Sequence, residues 1–103
     1  MRAFASPGTF RIVSPRIGTE VWSPTAIVAV RGTDWTMQVD PGGTAVLSAQ
    51  GKVAVSNARG DVRGAVLLTP GEGSDVHEGK APTTPGRWAP DRIRALERAT
   101  TLP

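Results

Sequence analysis

Few side chains in this chain can carry acid–base or nucleophilic chemistry. His77 is the only histidine, and none of the 103 residues is a cysteine. Acyl transfer commonly needs a nucleophile beside a base such as histidine, and a transition-metal site needs several histidine, cysteine or carboxylate ligands. Because no second histidine completes a metal set, we interpret His77 as an exposed loop imidazole beside Asp75 and Glu78. The sequence therefore predicts no catalytic residue, no metal site and no cofactor.

Carboxylates are the remaining candidates for catalysis. Asp34 and Asp40 lie six residues apart on one expected strand, and most of the other acids fall in expected loops. A glycosidase uses two carboxylates at a fixed separation in space, which a sequence does not show. We interpret these residues as scattered surface acids. A small hydrolase is thus the weakest of the three functions that the sequence leaves open.

The most distinctive group for binding is Arg31, Gly32 and Thr33, which directly follows a wholly apolar stretch. A guanidinium in that position must reach water or find hydrogen-bond acceptors. In one interpretation Arg31 caps carbonyl groups or pairs with Asp34 or Asp40. In the other, Arg31, Gly32, Thr33 and Asp34 recognise an anionic partner. We favour the structural interpretation, because a buried charge is generally paired within its own fold, and keep these four residues as the candidate binding site.

The other charged motifs carry less information. Arg59-Gly60-Asp61 spells a tripeptide read by adhesion receptors, but three common turn residues arise together by chance. Twelve basic and nine acidic residues give a mild net charge of +3. Nucleic-acid binding favours a contiguous basic face with stacking aromatic residues, so we predict no nucleic-acid partner and interpret the one basic cluster as a solvated helix face. That cluster comprises Arg87, Arg92, Arg94 and Arg98.

Composition favours β-structure for the elements that position these residues. The chain has the length of one domain, with 12 glycines, nine prolines and short apolar runs. Trp35, Met37 and Val39 alternate with polar residues, which is typical of a strand with one solvated face. The stretch from Ala26 to Val30 has no polar face. It therefore predicts a central strand covered on both sides.

The remaining elements follow from similar patterns, and only the end of the chain is helical in character. Pro90 suits the first position of a helix, and Trp88 is placed to pack on Ile93. We predict an all-β fold, either a β-sandwich or a solenoid-like β-roll, with a short C-terminal helix. Residues 1–86 are predicted to form the β domain and residues 87–103 the helical tail. A hairpin is expected from Trp35 to Ala49, and an extended segment from Gly79 to Gly86. The end of the strand expected at Val62–Leu68 is predicted to be deeply buried. Further strands are expected at Thr9–Val13, Thr19–Trp22, Val53–Val55 and, more weakly, Ser74–His77.

Neither a membrane span nor an export signal is expected in the chain as written. The longest apolar run, Ala26 to Val30, is far shorter than the ~20 residues that a spanning helix needs. The first residues lack the apolar stretch of a secretory signal peptide. We therefore expect a chain that does not itself span a membrane.

Three segments resemble the FecR family of bacterial cell-envelope regulators. The segment from Ser23 to Trp35 reads SPTAIVAVRGTDW and closely resembles the family hallmark, a T-P-x-A-hydrophobic stretch leading into V-R-G-T-[DE]-aromatic. Gln50 to Ser56 is similar to the family segment E-G-x-V-x-V-S, with Gln50 in place of the acid. Pro70–Gly73 followed by Gly79–Pro82 resembles its closing pattern. The resemblance covers about Phe10 to Pro85 and lacks the first half of a typical FecR domain, as expected for a fragment or a misplaced start.

The resemblance implies a non-enzymatic, β-rich domain that relays a signal in the envelope through a protein partner. It also implies a periplasmic location, although the chain as given carries no export signal. The best-known members relay the signal to an anti-sigma segment, and we expect no such segment in the chain as given. The second function that stays open is a module that binds a ligand or a cell-wall polymer.

Overall fold

Two five-stranded sheets packed face to face form the domain. The computed structural model describes residues 2–4, 7–13, 18–30, 33–40, 42–59 and 62–101. In chain order, the elements are β1 (Arg2–Phe4), β2 (Gly8–Val13), β3 (Thr19–Trp22), β4 (Ala26–Val30), β5 (Asp34–Asp40), β6 (Gly43–Gln50), β7 (Val53–Asn57), β8 (Ala65–Leu68), β9 (Glu72–His77), β10 (Gly86–Arg87) and α1 (Pro90–Thr101).

Strand order assigns each element to one sheet. The β4 sheet has the order β1-β3-β4-β7-β8, and the β6 sheet has the order β10-β9-β6-β5-β2. All pairs are antiparallel except β1 with β3, which is parallel. The predicted all-β fold with a C-terminal helix is confirmed, and of the two architectures the structure shows the sandwich.

The core lies between the sheets and is built from alternate residues of each strand. Trp35 and Met37 of β5 are fully buried, as the period of two predicted. They meet a layer of small branched side chains from the β4 sheet, which suits close packing between two sheets. The core cluster comprises Val21, Ala26, Val28, Val30, Trp35, Met37, Val39, Val46, Val53, Val55, Leu68 and Val76.

Buried hydroxyl groups join the sheets at one end of this core. Thr44 Oγ1 on β6 lies 2.7 Å from Ser23 Oγ and 2.7 Å from Thr25 Oγ1, and both of these residues precede β4. Ser23 Oγ also accepts a hydrogen bond of 2.9 Å from the Ala26 amide, which fixes the start of β4. In the described residues every buried side-chain nitrogen or oxygen has a partner.

Two sequence-based expectations for the β4 sheet are wrong. β4 is covered on one side only, because Ala29 is exposed and Ile27 is half-buried. The strand expected from Val62 begins at Ala65, and the segment expected to be deeply buried at its end exposes 52% of Leu67. The period of two sends Leu68 into the core and Leu67 to the outside.

Helix α1 lies on the outer face of the β6 sheet, where it contacts the edge strand β2 and, through Arg92, Asp75 of β9. Ala45 and Leu47 point away from the core, yet both are buried. Their cross-strand partners are Asp75 and Gly73, and these two residues hold the start of the helix. Leu96 of α1 is itself buried. Among the described residues, no helix is long and apolar enough to cross a membrane.

Three contacts dock the beginning of α1. Trp88 lies against Gly73, where a side chain would overlap its ring. The Arg92 guanidinium stacks on the Trp88 ring, 3.6 Å from its centroid, and Arg92 Nη2 lies 2.5 Å from Asp75 Oδ1. Cation–π contact and ion pair therefore act on the same side chain.

Candidate functional site

The predicted binding residues lie where the chain passes from the β4 sheet to the β6 sheet. Arg31 and Gly32 are outside the described residues. Thr33 is 1% exposed, and its hydroxyl donates a hydrogen bond of 3.3 Å to the Lys52 carbonyl. Asp34 opens β5 and is half-buried. Of the two described residues, only Asp34 is accessible to a partner.

Asp34 forms a two-pronged ion pair with Arg11 of the neighbouring edge strand β2. Arg11 Nε lies 3.1 Å from Asp34 Oδ1, and Arg11 Nη2 lies 2.7 Å from Asp34 Oδ2. These hydrogen bonds from Arg11, with a smaller Coulombic contribution, hold the pKa of the Asp34 carboxyl below its usual value against the opposing effect of burial. The sequence did not point to Arg11 as the partner, because 23 positions separate the two residues.

The pairing of β5 with β6 is irregular next to Asp34. The register between β5 and β6 shifts between Asp34 and Trp35, as at a β-bulge. On β6 the Ser48 hydroxyl donates a 2.8 Å hydrogen bond to the Gly51 carbonyl, and the Ser48 carbonyl accepts one of 2.8 Å from the Gly71 amide. These hydrogen bonds hold the end of β6, the turn at Gly51 and the segment at Gly71 together at this end of the sandwich.

The placement of Asp34 and Asp40 does not fit a glycosidase pair. Asp34 and Asp40 stand at the two ends of β5, about 20 Å apart at ~3.3 Å per residue, far beyond the 5–9.5 Å of a glycosidase pair. His77 ends β9 and is exposed. A shallow depression of about 410 Å³ on the β6 sheet has Asp40, Asp75, His77 and Arg92 in its lining, and the Asp75 carboxylate is paired with Arg92.

Metal-ion chemistry also has no candidate site among the residues that the structure describes. Within the described ranges, no group of three or more histidine, cysteine or carboxylate side chains is arranged to hold a metal ion.

A second depression was not predicted from the sequence. It measures about 460 Å³ and lies on the outer face of the β4 sheet, with Ala29, Lys52, Ala54 and Leu67 in its lining. The signal for it was present in the sequence: the stretch from Ala26 to Val30 is apolar on both faces, but only one face turned out to be covered.

Comparison with known proteins gives similarity at the level of the fold. No protein-family model and no curated protein matches the chain. Two crystal structures of a putative anti-sigma factor from Parabacteroides distasonis ATCC 8503, at 1.65 Å and 2.50 Å resolution, are similar to it. Each has a TM-score of 0.69 and 19% sequence identity, over 88% of this chain. The chain spans 43% of the length of that protein.

Proposed function

We propose that this chain is a non-enzymatic regulatory signalling domain of the bacterial cell envelope that acts by contact with a protein partner, as FecR proteins do. The observation that carries the proposal is the fold shared with the Parabacteroides distasonis protein over 88% of this chain. That protein is described as a putative anti-sigma factor.

The FecR assignment rests on the three sequence segments that resemble the family. Its hallmark spans β4, the connection to β5 and the first residues of β5. β4 is the central strand of its sheet, and β5 is the strand that follows it in the β6 sheet. The same segment therefore supplies core residues and, at Asp34, an accessible charge.

The proposed location is the periplasm, by the same resemblance. The protein partner is proposed to reach the domain at its exposed strands and at the connection that contains Arg31, Gly32, Thr33 and Asp34. Arg31, which is outside the described residues, is proposed to have a primarily structural role, since a charge that follows an apolar strand is generally paired within its own fold.

Deletion of the coding region in the native bacterium, followed by transcript profiling, tests the regulatory role. We expect a discrete set of promoters to change and to recover when the wild-type chain is restored. A strain complemented with Arg31→Ala separates structure from recognition: we expect a lower Tm of the purified variant together with partial loss of regulation. Arg63→Ala, at an exposed arginine, is the matched control and should restore regulation fully.

An unchanged transcript profile after deletion would contradict the proposal. Saturable binding of purified peptidoglycan by the isolated chain, with no effect of deletion on transcription, would favour the wall-polymer module instead. An unchanged Tm for Arg31→Ala with complete loss of regulation would assign Arg31 to recognition of the partner.

A further inference from the structure

Four strands lie at the edges of the two sheets: β1 and β8 in the β4 sheet, and β2 and β10 in the β6 sheet. An edge strand offers unpaired backbone groups to other chains, and proteins commonly protect such edges with charged side chains. β1, β2 and β10 each contain an arginine, whereas β8 reads AVLL. The β8 edge, Ala65–Leu68, therefore lacks the charged residue that the other three edges carry.

The direction of the backbone groups on β8 follows from the hydrogen bonds of its neighbour β7. The Ala58 amide donates a 3.0 Å hydrogen bond to the Thr25 carbonyl, and this pair continues the register of β7 with β4 by one residue. Hydrogen-bonded and non-hydrogen-bonded pairs alternate along an antiparallel ladder. Val53 and Val55 of β7 therefore direct their backbone groups away from β4 and towards β8.

The same alternation leaves two residues of β8 facing outward. The partners of the two β7 valines are Leu68 and Val66, so these residues carry the hydrogen bonds to β7. The backbone N–H and C=O groups of Ala65 and Leu67 then point away from the sheet. Both residues are exposed, and no described residue forms a hydrogen bond with these outward groups.

Both ends of the β8 edge are closed by local structure. The Thr69 amide donates a 2.8 Å hydrogen bond to Glu72 Oε1, and the Thr69 carbonyl accepts one of 2.9 Å from the Glu72 amide. At the other end, Gly64 has a φ of 111°, which interrupts the extended conformation. The accessible backbone groups of the edge are thus those of Ala65 and Leu67.

We propose that an extended segment of the protein partner adds to the β4 sheet as a further strand, paired antiparallel with Ala65–Leu68. The outward groups of Ala65 and Leu67 are complementary to another extended backbone, and strand addition is a common mode of peptide recognition. The segment residues opposite Ala65 and Leu67 each exchange a pair of hydrogen bonds with them. This inference rests on the proposed regulatory function and names the form in which the partner binds.

A short segment of another protein fits this edge better than a second copy of the chain. In a twofold pair of β8 strands centred on Leu67, Ala65 of each copy faces Thr69 of the other, whose backbone groups are already bonded to Glu72. A pair centred on Val66 places the Glu72 side chain against the residues that precede β8 in the other copy. A partner segment can end before it reaches Glu72.

The side chains along the edge define which residues suit the segment. Val66 is half-buried and packs against the margin of the core, and the segment residue opposite it points to the same side. The residues opposite Ala65 and Leu67 lie on the outer face, where Leu67 exposes 52% of its surface. We therefore expect a segment of apolar residues that are β-branched or aromatic.

Hydrogen exchange of the purified chain, followed by NMR, tests the geometry without a partner. The amides of Ala65 and Leu67 should exchange about tenfold or more faster than those of Val66 and Leu68, which are bonded to β7. Equal protection of the four amides would overturn the assigned direction of the β8 backbone and, with it, the proposal.

Proline substitution in the native bacterium tests the partner contact. Ala65→Pro and Leu67→Pro each remove an outward donor that the partner needs, and an edge strand tolerates proline where its N–H faces solvent. Both variants should fold, but in the deletion strain they should restore the transcript response about fivefold less well than the wild type, or worse. Ala65→Ser is the matched control, because it keeps the amide, and it should restore regulation fully. The Tm and the cellular abundance of each variant are measured alongside.

The outcomes separate this inference from the regulatory function on which it rests. An unchanged transcript profile after deletion would contradict the regulatory function itself. A changed profile that both proline variants restore as well as Ala65→Ser does would overturn strand addition and leave the regulatory function in place. Unfolding of both proline variants would mean that these amides belong to the ladder with β7, which also overturns the proposal. A wild-type dimer that Ala65→Pro dissociates would assign the edge to a second copy instead.

Discussion

Polar contacts of single residues stabilise the sandwich at two positions: one links the two sheets, and the other joins two strands of the β6 sheet. Thr44 touches two hydroxyls of the segment before β4, and Asp34 joins β5 to the edge strand β2 through Arg11. The first contact is fully buried, whereas the second has a largely exposed cation. The two are expected to differ in how much they contribute to the free energy of unfolding.

Thr44→Val is expected to lower the free energy of unfolding by about 1–3 kcal/mol, because it leaves the Ser23 and Thr25 hydroxyls without their shared partner in a buried site. Thr44→Ser keeps the hydroxyl and should cost less. Urea unfolding of both variants provides the measurement. Equal stability of the valine and serine variants would mean that the hydroxyl cluster contributes nothing.

Arg11→Gln is expected to make stability less dependent on pH. Because Arg11 lowers the pKa of folded Asp34, the ion pair stabilises the fold above the unfolded pKa of about 3.9, and this stabilisation disappears as the pH falls through the folded pKa. The loss at pH 7 should be about 0.5 kcal/mol, since the Arg11 side chain is 62% exposed.

Two measurements check the predicted pH dependence. One is urea unfolding of both proteins at neutral pH and at a pH well below the Asp34 pKa. The other is an NMR titration of the Asp34 carboxyl. In Arg11→Gln the pKa should move up towards its ordinary value. An unchanged pKa, or the same loss of stability at both pH values, would show that the pair has no electrostatic role.

At the scale of strands and helices, the sequence predicts features that depend on local pattern. It does not predict features that depend on contacts between distant segments. The alternation of Trp35, Met37 and Val39 identified β5 and its buried side, because a period of two is a local property. For β4 the sequence predicted cover on both sides, and this was wrong, because an apolar strand does not reveal what covers its second face. Sandwich and roll were equally open, because the pairings of β2 with β5 and of β1 with β3 join distant segments.

The candidate site was predictable only in part. The sequence singled out Thr33 and Asp34, but their partners, Lys52 in the turn before β7 and Arg11 on β2, are distant in sequence and have no local signature. The start of β8 was misplaced because Gly64 adopts a φ of 111°, a conformation favourable for glycine that delays the strand.

Gly73→Ala is expected to release the start of α1 from the β6 sheet. A Cβ at this position would overlap the Trp88 ring, and displacing Trp88 also removes the surface on which Arg92 stacks. Hydrogen exchange of α1 amides should accelerate, and tryptophan emission should shift to longer wavelength, while the core strands stay protected.

Gly42→Ala is the matched control, because a Cβ there meets no atom within 4 Å. It should leave helix protection and emission as in the wild type. Unchanged exchange of α1 in Gly73→Ala would show that Trp88 does not hold the helix in place.

The molecule as a whole is a sandwich in which helix α1 lies on one outer face, and no element among the described residues covers the other. The chain has a net charge of +3, no cysteine and few titratable groups of catalytic type. Its distinctive features are its surfaces and strand edges, and the proposed regulation through a protein partner follows from that distribution.

The cellular location of the native protein tests the central claim most directly, because it decides which partners are available. The measurement is fractionation of the native bacterium, with protease added to intact cells, to cells with a permeabilised outer membrane and to lysed cells. We predict degradation as soon as the outer membrane is opened. Protection until the cytoplasm is lysed would contradict the account of an envelope regulator.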